Sequence, residues 1–218
     1  PPEVPAQPEV DMEGNETAWD DVSLNLELPI EEVKAARIEE MGHMKAKVFK
    51  MVKRKECYEK TGKAPKSTKW VDTDKSHGQG VVLVRSRWVA RDFKTRGERD
   101  REDLFCATPP LELLRFMVSR QATTSRSGKL RKSMFIDVKK AHLVPKCDQD
   151  IYVDLPPESG AEKDECGKLL YWLYGCRPAG QAWEDHYAQV LVGAGFRRGV
   201  SSPVMFYHPG RELWCVVH

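Results

Sequence analysis

Asp137 is the residue whose setting most readily supports chemistry. It closes an apolar, strand-like run, Met134-Phe-Ile-Asp-Val138, and Lys139, Lys140 and Ala141 follow it. A carboxylate held at a strand end beside a backbone carbonyl is a good ligand for a hard cation. Mg²⁺ prefers such oxygens, keeps several waters and so needs few protein ligands. The plain alternative is an ordinary acid at a strand terminus. The second chemical feature is charge layout. Net charge is +2, but residues 1–30 hold eight acids and no Lys or Arg, whereas residues 45–101 hold eighteen Lys or Arg against seven acids. A local excess of that size attracts polyanions, nucleic acid first, unless it is only a solvated face. The six cysteines (57, 106, 147, 166, 176 and 215) show no CxxC and no close pairing with His, which argues against a zinc site or a disulfide scaffold.

These residues need elements to hold them. With 218 residues, 40% hydrophobic and 31% charged, the chain is polar but able to fold as one large domain, or as a domain with a tail. No run of eighteen apolar residues is present and no signal peptide opens the chain, so an intracellular site, cytoplasmic or nuclear, is expected. The chain starts at Pro1 and stops at His218, directly after an apolar run, and reads as a fragment of a longer reading frame. Residues 1–29, rich in Pro and acids, are expected to be a disordered acidic linker, and 30–218 the folded domain.

Glu31 and Glu32 suit a helix start, and Val33, Ile38, Met41 and Met44 share a face, so 31–46 reads as an amphipathic helix. Val48–Val52 either extends it or forms a short strand. Thr61–Pro65 is a turn. Thr68–Asp72 and Val81–Ala90 read as a basic β-hairpin, and Asp92–Asp103 as a charged loop. Pro109-Pro110 starts a helix carried by Leu111, Leu114, Met117, Val118 and Gln121. Ser133–Val138 and Ile151–Leu155 read as strands. Lys168–Cys176 is apolar and ambiguous. Ala179–Ala194 is a helix capped by Gly195, and Val204–Tyr207 pairs with Glu212–Val217 around Pro209-Gly210. Irregular alternation with hairpin joints favours α+β over a doubly wound α/β fold.

Several blocks then follow one another in order. They are Thr68-Lys-Trp-Val71, Arg85-Ser-Arg-Trp-Val-Ala90, Glu102-Asp-Leu-Phe-Cys-Ala-Thr-Pro109 and Leu114-Arg115. Next come Phe135-Ile-Asp-Val-Lys-Lys-Ala-His-Leu143, Asp150-Ile-Tyr-Val-Asp-Leu-Pro156 and Leu173-Tyr-Gly-Cys-Arg-Pro-Ala-Gly-Gln-Ala-Trp183, and last Gly195-Phe196 and the hydrophobic strand 212–217. In this order and spacing the series resembles the reverse transcriptase domain of copia-type LTR retrotransposon polyproteins, over roughly residues 33–218.

The resemblance implies an α+β right-hand polymerase, with fingers followed by an incomplete ferredoxin-like palm, and RNA-directed DNA polymerisation as the family activity. It puts the first catalytic aspartate on Asp137, bridging two Mg²⁺ ions in the complete domain, with the carbonyl of Val138 as a further metal contact. It puts triphosphate binding on Arg87 first, then Arg85 and Lys75. A guanidinium can grip phosphate oxygens bidentately, where an ammonium acts as a point charge. It puts the nucleotide and template contact on Tyr174 and Gly175, with Gly175 allowing close backbone approach.

The sugar contact falls on His142, where relatives carry Phe or Tyr. Arg177-Pro-Ala-Gly-Gln181 also departs from the family's usual Lys-Gln-Ala-Pro-Arg. The second catalytic block, an aromatic-X-Asp-Asp turn, would fall just past Leu213–Val217, so the fragment is expected to be inactive alone. The implied partners are an RNA or DNA template with primer, a deoxynucleoside triphosphate, and thumb, RNase H and integrase regions in cis, with no membrane. The alternatives are a nucleic-acid-binding remnant without chemistry and an acidic-tailed interaction protein.

Overall fold

The computed structural model describes residues 9–10, 16–23, 26–76, 79–92 and 106–217. The described residues form four α-helices and several small antiparallel sheets, in keeping with the α+β expectation. They divide into two compact units, one within Pro1–Glu98 and Leu143–Ala179, the other within Arg99–His142 and Gly180–His218.

The first unit opens with strands β1 (Glu9–Val10), β2 (Glu16–Trp19) and β3 (Glu27–Leu28), which pair in that order. This corrects the expectation that 1–29 lacks structure, because the described part of that segment has partners. Ala18 and Leu28 are buried against Val33, and Asp20 and Asp21 bond to backbone further along the chain. Helix α1 (Ile30–His43) follows, with Glu31 and Glu32 in its first turn, and a π-helical turn, Met44–Val48, leads into β4 (Phe49–Lys53). The open choice at 48–52 therefore resolves to a strand.

Helix α2 (Arg54–Thr61) has no sequence signal, since Cys57 is its one buried residue, and left-handed Gly62 ends it. Strands β5 (Thr68–Asp74) and β6 (Val84–Ala90) make the expected hairpin, with Trp70 opposite Trp88 and Val71 opposite Arg87. Its buried row is Trp70, Asp72 and Asp74 on β5 with Ser86, Trp88 and Ala90 on β6. Strand β7 (Tyr152–Val153) and β8 (Glu165–Leu169) join β4 in the order β4-β8-β7. The core gathers Val33, Met41, Met44, Phe49, Trp88, Leu169 and Leu173, with the Phe49 and Trp88 rings edge to face at 5.4 Å.

A buried polar network ties α1 to the hairpin. Arg37 reaches Asp72 at 2.5 Å, and the Ser86 hydroxyl donates to the same carboxylate at 2.6 Å. Arg37 is also 3.7 Å from Glu158, which accepts from the Trp70 indole at 3.2 Å. Asp74 accepts from the Ser76 hydroxyl at 2.6 Å and the Leu83 N–H at 3.0 Å, so both acids that interrupt the buried row are held by partners, as buried charge requires.

The second unit contains α3 (Leu111–Gln121), starting after Pro109-Pro110 as expected, and α4 (Ala179–Gly193), followed by Gly195 at φ +92°. Strands β9 (Arg197–Arg198), β10 (Met205–His208) and β11 (Leu213–Val216) form its sheet, with Phe206 opposite Cys215. Tyr187, Ala188 and Phe206 make its core.

The strand expected at Ser133–Val138 does not form. The segment has no ladder partner among the described residues, and a strand exists only when its backbone groups are paired. Neither face packs: Phe135 is 97% and Ile136 74% exposed. The expected loop at Asp92–Asp103 lies, after Asp92, outside the described residues.

Candidate nucleotide and nucleic-acid site

In a strand the side chains alternate, and residues directly opposite in an antiparallel pair share a face. Because Trp70, Asp72, Ser86 and Trp88 point inward, Lys69, Val71 and Thr73 of β5 and Arg85, Arg87 and Val89 of β6 form one outward row. Lys75 is exposed at the hairpin tip, one residue beyond β5, where its N–H donates to the Leu83 carbonyl at 2.8 Å. The two arginines are therefore placed by the hairpin register, one on either side of inward-facing Ser86.

Tyr174 belongs to the same unit and sits in a turn sewn to the end of β6. The Ala90 N–H donates to the Tyr174 carbonyl at 2.7 Å, and the Arg177 N–H donates to Asp92 at 3.1 Å. Asp92 is held in turn by Lys66 at 2.6 Å. Gly175 lies at φ +79°, and a Cβ there would come 2.1 Å from the Ala90 carbonyl oxygen. The absence of a side chain at Gly175 thus serves the packing of the turn on the hairpin backbone.

Burial pushes the Tyr174 phenol up, with the charge of Glu40 adding to it, while Arg85 and Arg87 pull the other way. Tyr174 is joined to the strand that carries Arg85 and Arg87 through its own carbonyl, at the end of that strand. Cys176, next in the turn, is pushed up to about 12 by burial and stays a neutral thiol.

The other site residues belong to the second unit. Asp137 is exposed in the extended stretch, with no side-chain hydrogen bond or ion pair among the described residues. Val138 is 47% exposed beside it. Lys140, at φ +55°, turns the chain into the short 3-10 turn Ala141–Leu143. His142 in that turn is half-buried, and burial lowers its pKa, so the ring is neutral at pH 7.

A family model described as reverse transcriptase (RNA-dependent DNA polymerase) matches residues 46–214, more than half of the chain. The chain belongs to that reverse transcriptase family. No solved structure matches it. The ordered blocks that suggested this family all fall within or beside the matched span. Among the described residues, no helix is long and apolar enough to cross a membrane.

Reverse transcriptases use divalent metal ions. Among the described residues, no group of three or more His, Cys, Asp or Glu is placed to hold one. Asp137 and the Val138 carbonyl supply one carboxylate and one carbonyl on an exposed stretch, and these residues alone do not fit a two-ion Mg²⁺ site. Sequence reasoning missed the residues that fix the reverse transcriptase's site elements: Asp92, Arg37 with Asp72, and Glu184. Buried Glu184 accepts from the Ala107 N–H at 2.7 Å and pairs with Arg198, joining the start of α4 to the segment before α3 and to β9. No spacing marks these residues, because their partners lie elsewhere in the chain.

Proposed function

We propose that this chain is the fingers and part of the palm of a copia-type retrotransposon reverse transcriptase, the first unit being the fingers and the second the palm portion. Its substrates on this reading are a template–primer duplex and a deoxynucleoside triphosphate. The observation that carries the reading is the outward basic row of Lys69, Arg85 and Arg87 on the hairpin, inside the matched span. Two guanidiniums on one strand face bind phosphate oxygens with directional, charge-assisted bonds. Tyr174, whose turn is bonded to the end of the same strand, offers a ring for stacking and hydrogen bonding, and Lys75 adds a point charge at the hairpin tip. Asp137 is the catalytic carboxylate in this reading, with the Val138 carbonyl next to it, and His142 faces the sugar. Further carboxylates are needed to complete a metal site, and the described residues do not supply them.

The test is binding of a labelled RNA–DNA template–primer, followed by fluorescence anisotropy across a salt series. Affinity should fall steeply with salt as counterions are released. Arg85→Gln with Arg87→Gln should weaken binding and lower the slope of log K against log salt by about 2. An unchanged affinity and slope would remove the hairpin from the site.

A further inference from the structure

The acidic leader is joined to the same hairpin that carries Arg85 and Arg87. Asp20 is buried, and its Oδ1 accepts from the N–H groups of Val22 at 2.7 Å and Ser23 at 2.6 Å. Its Oδ2 accepts from the Asp74 N–H. The Asp21 N–H donates to the Asp72 carbonyl at 2.8 Å, and Asp21 Oδ2 accepts from the Asp72 N–H at 2.7 Å. Strand β6 occupies one edge of β5, so these bonds occupy the other. The apolar contacts agree: Ala18 and Leu28 bury with Val33, and Val82 and Val84 at the start of β6 pack on that cluster.

The remaining oxygen of Asp21 lies 3.6 Å from Lys69 Nζ, and Lys69 belongs to the outward row with Arg85 and Arg87. An exposed strand edge is a template for an extended peptide, which binds by its main-chain groups. Here the peptide brings carboxylates to a basic face, as the phosphates of a nucleic acid would. Residues 1–30 carry eight acids and no base, opposite the eighteen basic residues of 45–101.

We infer that the β5 edge and the Lys69 end of the outward basic row together form a docking surface for an extended acidic segment, filled in cis by leader residues 16–23, and that nucleic acid laid along the whole row competes with this segment at Lys69. The inference rests on the reading of that row as a polyanion site. A phosphate approaching Lys69 meets a lysine already paired and a carboxylate of its own sign, which opposes binding until the leader leaves.

Amide hydrogen exchange on the full chain tests this directly. Asp72 and Asp74 donate their N–H groups to the leader, while Thr73 between them faces β6 by strand alternation. Saturation with a short single-stranded DNA should lower protection at Asp72 and Asp74 by about threefold or more and leave Thr73 protected. Unchanged or raised protection at Asp72 and Asp74 with DNA bound overturns the competition.

A second measurement separates docking from bulk charge. Asp20→Ala with Asp21→Ala should bind the DNA about fivefold tighter or more, and Glu3→Gln with Glu13→Gln, the same charge change elsewhere in the leader, less than about twofold. Equal effects of the two pairs also overturn the inference. If the unaltered chain binds no DNA, the polyanion reading of the row falls. Docking is then judged alone by Asp72 and Asp74 protection in Asp20→Ala with Asp21→Ala, where no loss of protection overturns it.

Discussion

Replacing Gly175 by Ala tests the junction that bonds the Tyr174 turn to the end of the strand carrying Arg85 and Arg87. Two penalties act at this position. The backbone is at φ +79°, and an L side chain in the left-handed region costs about 1–2 kcal/mol. The new Cβ would also lie 2.1 Å from the Ala90 carbonyl oxygen, so the turn and the end of β6 must part by about 1 Å. Backbone shifts forced by overpacking cost roughly 1–3 kcal/mol, and the Ala90-to-Tyr174 hydrogen bond lost with them adds about 1 kcal/mol. The total is about 3–6 kcal/mol, a large part of the roughly 5–15 kcal/mol that holds an ordinary domain.

Gly62→Ala is the internal control. That glycine, in the same unit, sits at φ +66° with nothing within 4 Å of its Cβ position, so only the first penalty applies. Urea unfolding followed by tryptophan fluorescence should lower the midpoint of Gly175→Ala by more than about 1 M, and that of Gly62→Ala by well under half as much. Parting the turn from the strand also relieves the burial of Tyr174, so its phenol should titrate nearer its ordinary value of 10.0. Equal losses at the two glycines, within about 0.5 kcal/mol, would refute the close approach.

Asp137→Asn removes an exposed carboxylate that has no side-chain hydrogen bond or ion pair among the described residues, so stability should stay within about 0.5 kcal/mol. In a longer chain that carries the further carboxylates, the same change should abolish primer extension, and extension that survives it would take Asp137 out of the chemistry. In that chain His142→Phe should raise discrimination against ribonucleotides, because a bulkier ring crowds a 2′-hydroxyl. An equal ratio of ribonucleotide to deoxynucleotide incorporation would remove position 142 from the sugar contact.

Asp20 makes a pH prediction. Burial and the neighbouring Asp74 carboxylate raise its pKa, but the Asp74, Ser23 and Val22 N–H donors outweigh them, so it titrates below its ordinary 3.8. Its contribution is complete above that value and is lost as pH falls through the lowered one. Asp20→Asn should flatten the fall of the urea midpoint below about pH 4, and an unchanged fall would refute the role.

The hairpins were readable because their signals are local. Alternation over 68–74 and 84–90 gives the register, and Pro209-Gly210 closes the second turn between β10 and β11. The row from Trp70 to Asp74 shows the limit of that signal. Its acids face inward because each has partners that alternation does not report: Arg37 and Ser86, 35 and 14 positions away, hold Asp72, and Asp74 accepts from the Ser76 hydroxyl and from the Ser76 and Leu83 N–H groups across the hairpin turn. Met134–Val138 shows the converse. Its apolar residues mark strand propensity, but a strand also needs a ladder partner, and no periodicity within the segment reports one. Helix α2 lacks even the local signal, since one buried Cys57 gives no stripe.

The leader was misread for a related reason. A composition argument averages over a segment: acids and prolines dominate 1–29, and the apolar surface available for burial is small. Order over 16–23 and 26–28 comes instead from two buried side chains, Ala18 and Leu28, and from two carboxylates bonded to main-chain N–H groups of β5. Those bonds are available only because the hairpin leaves the far edge of β5 open. The structure of the leader is thus set by an unfilled edge elsewhere in the chain, and the acids that suggest disorder by composition are the groups that fill it.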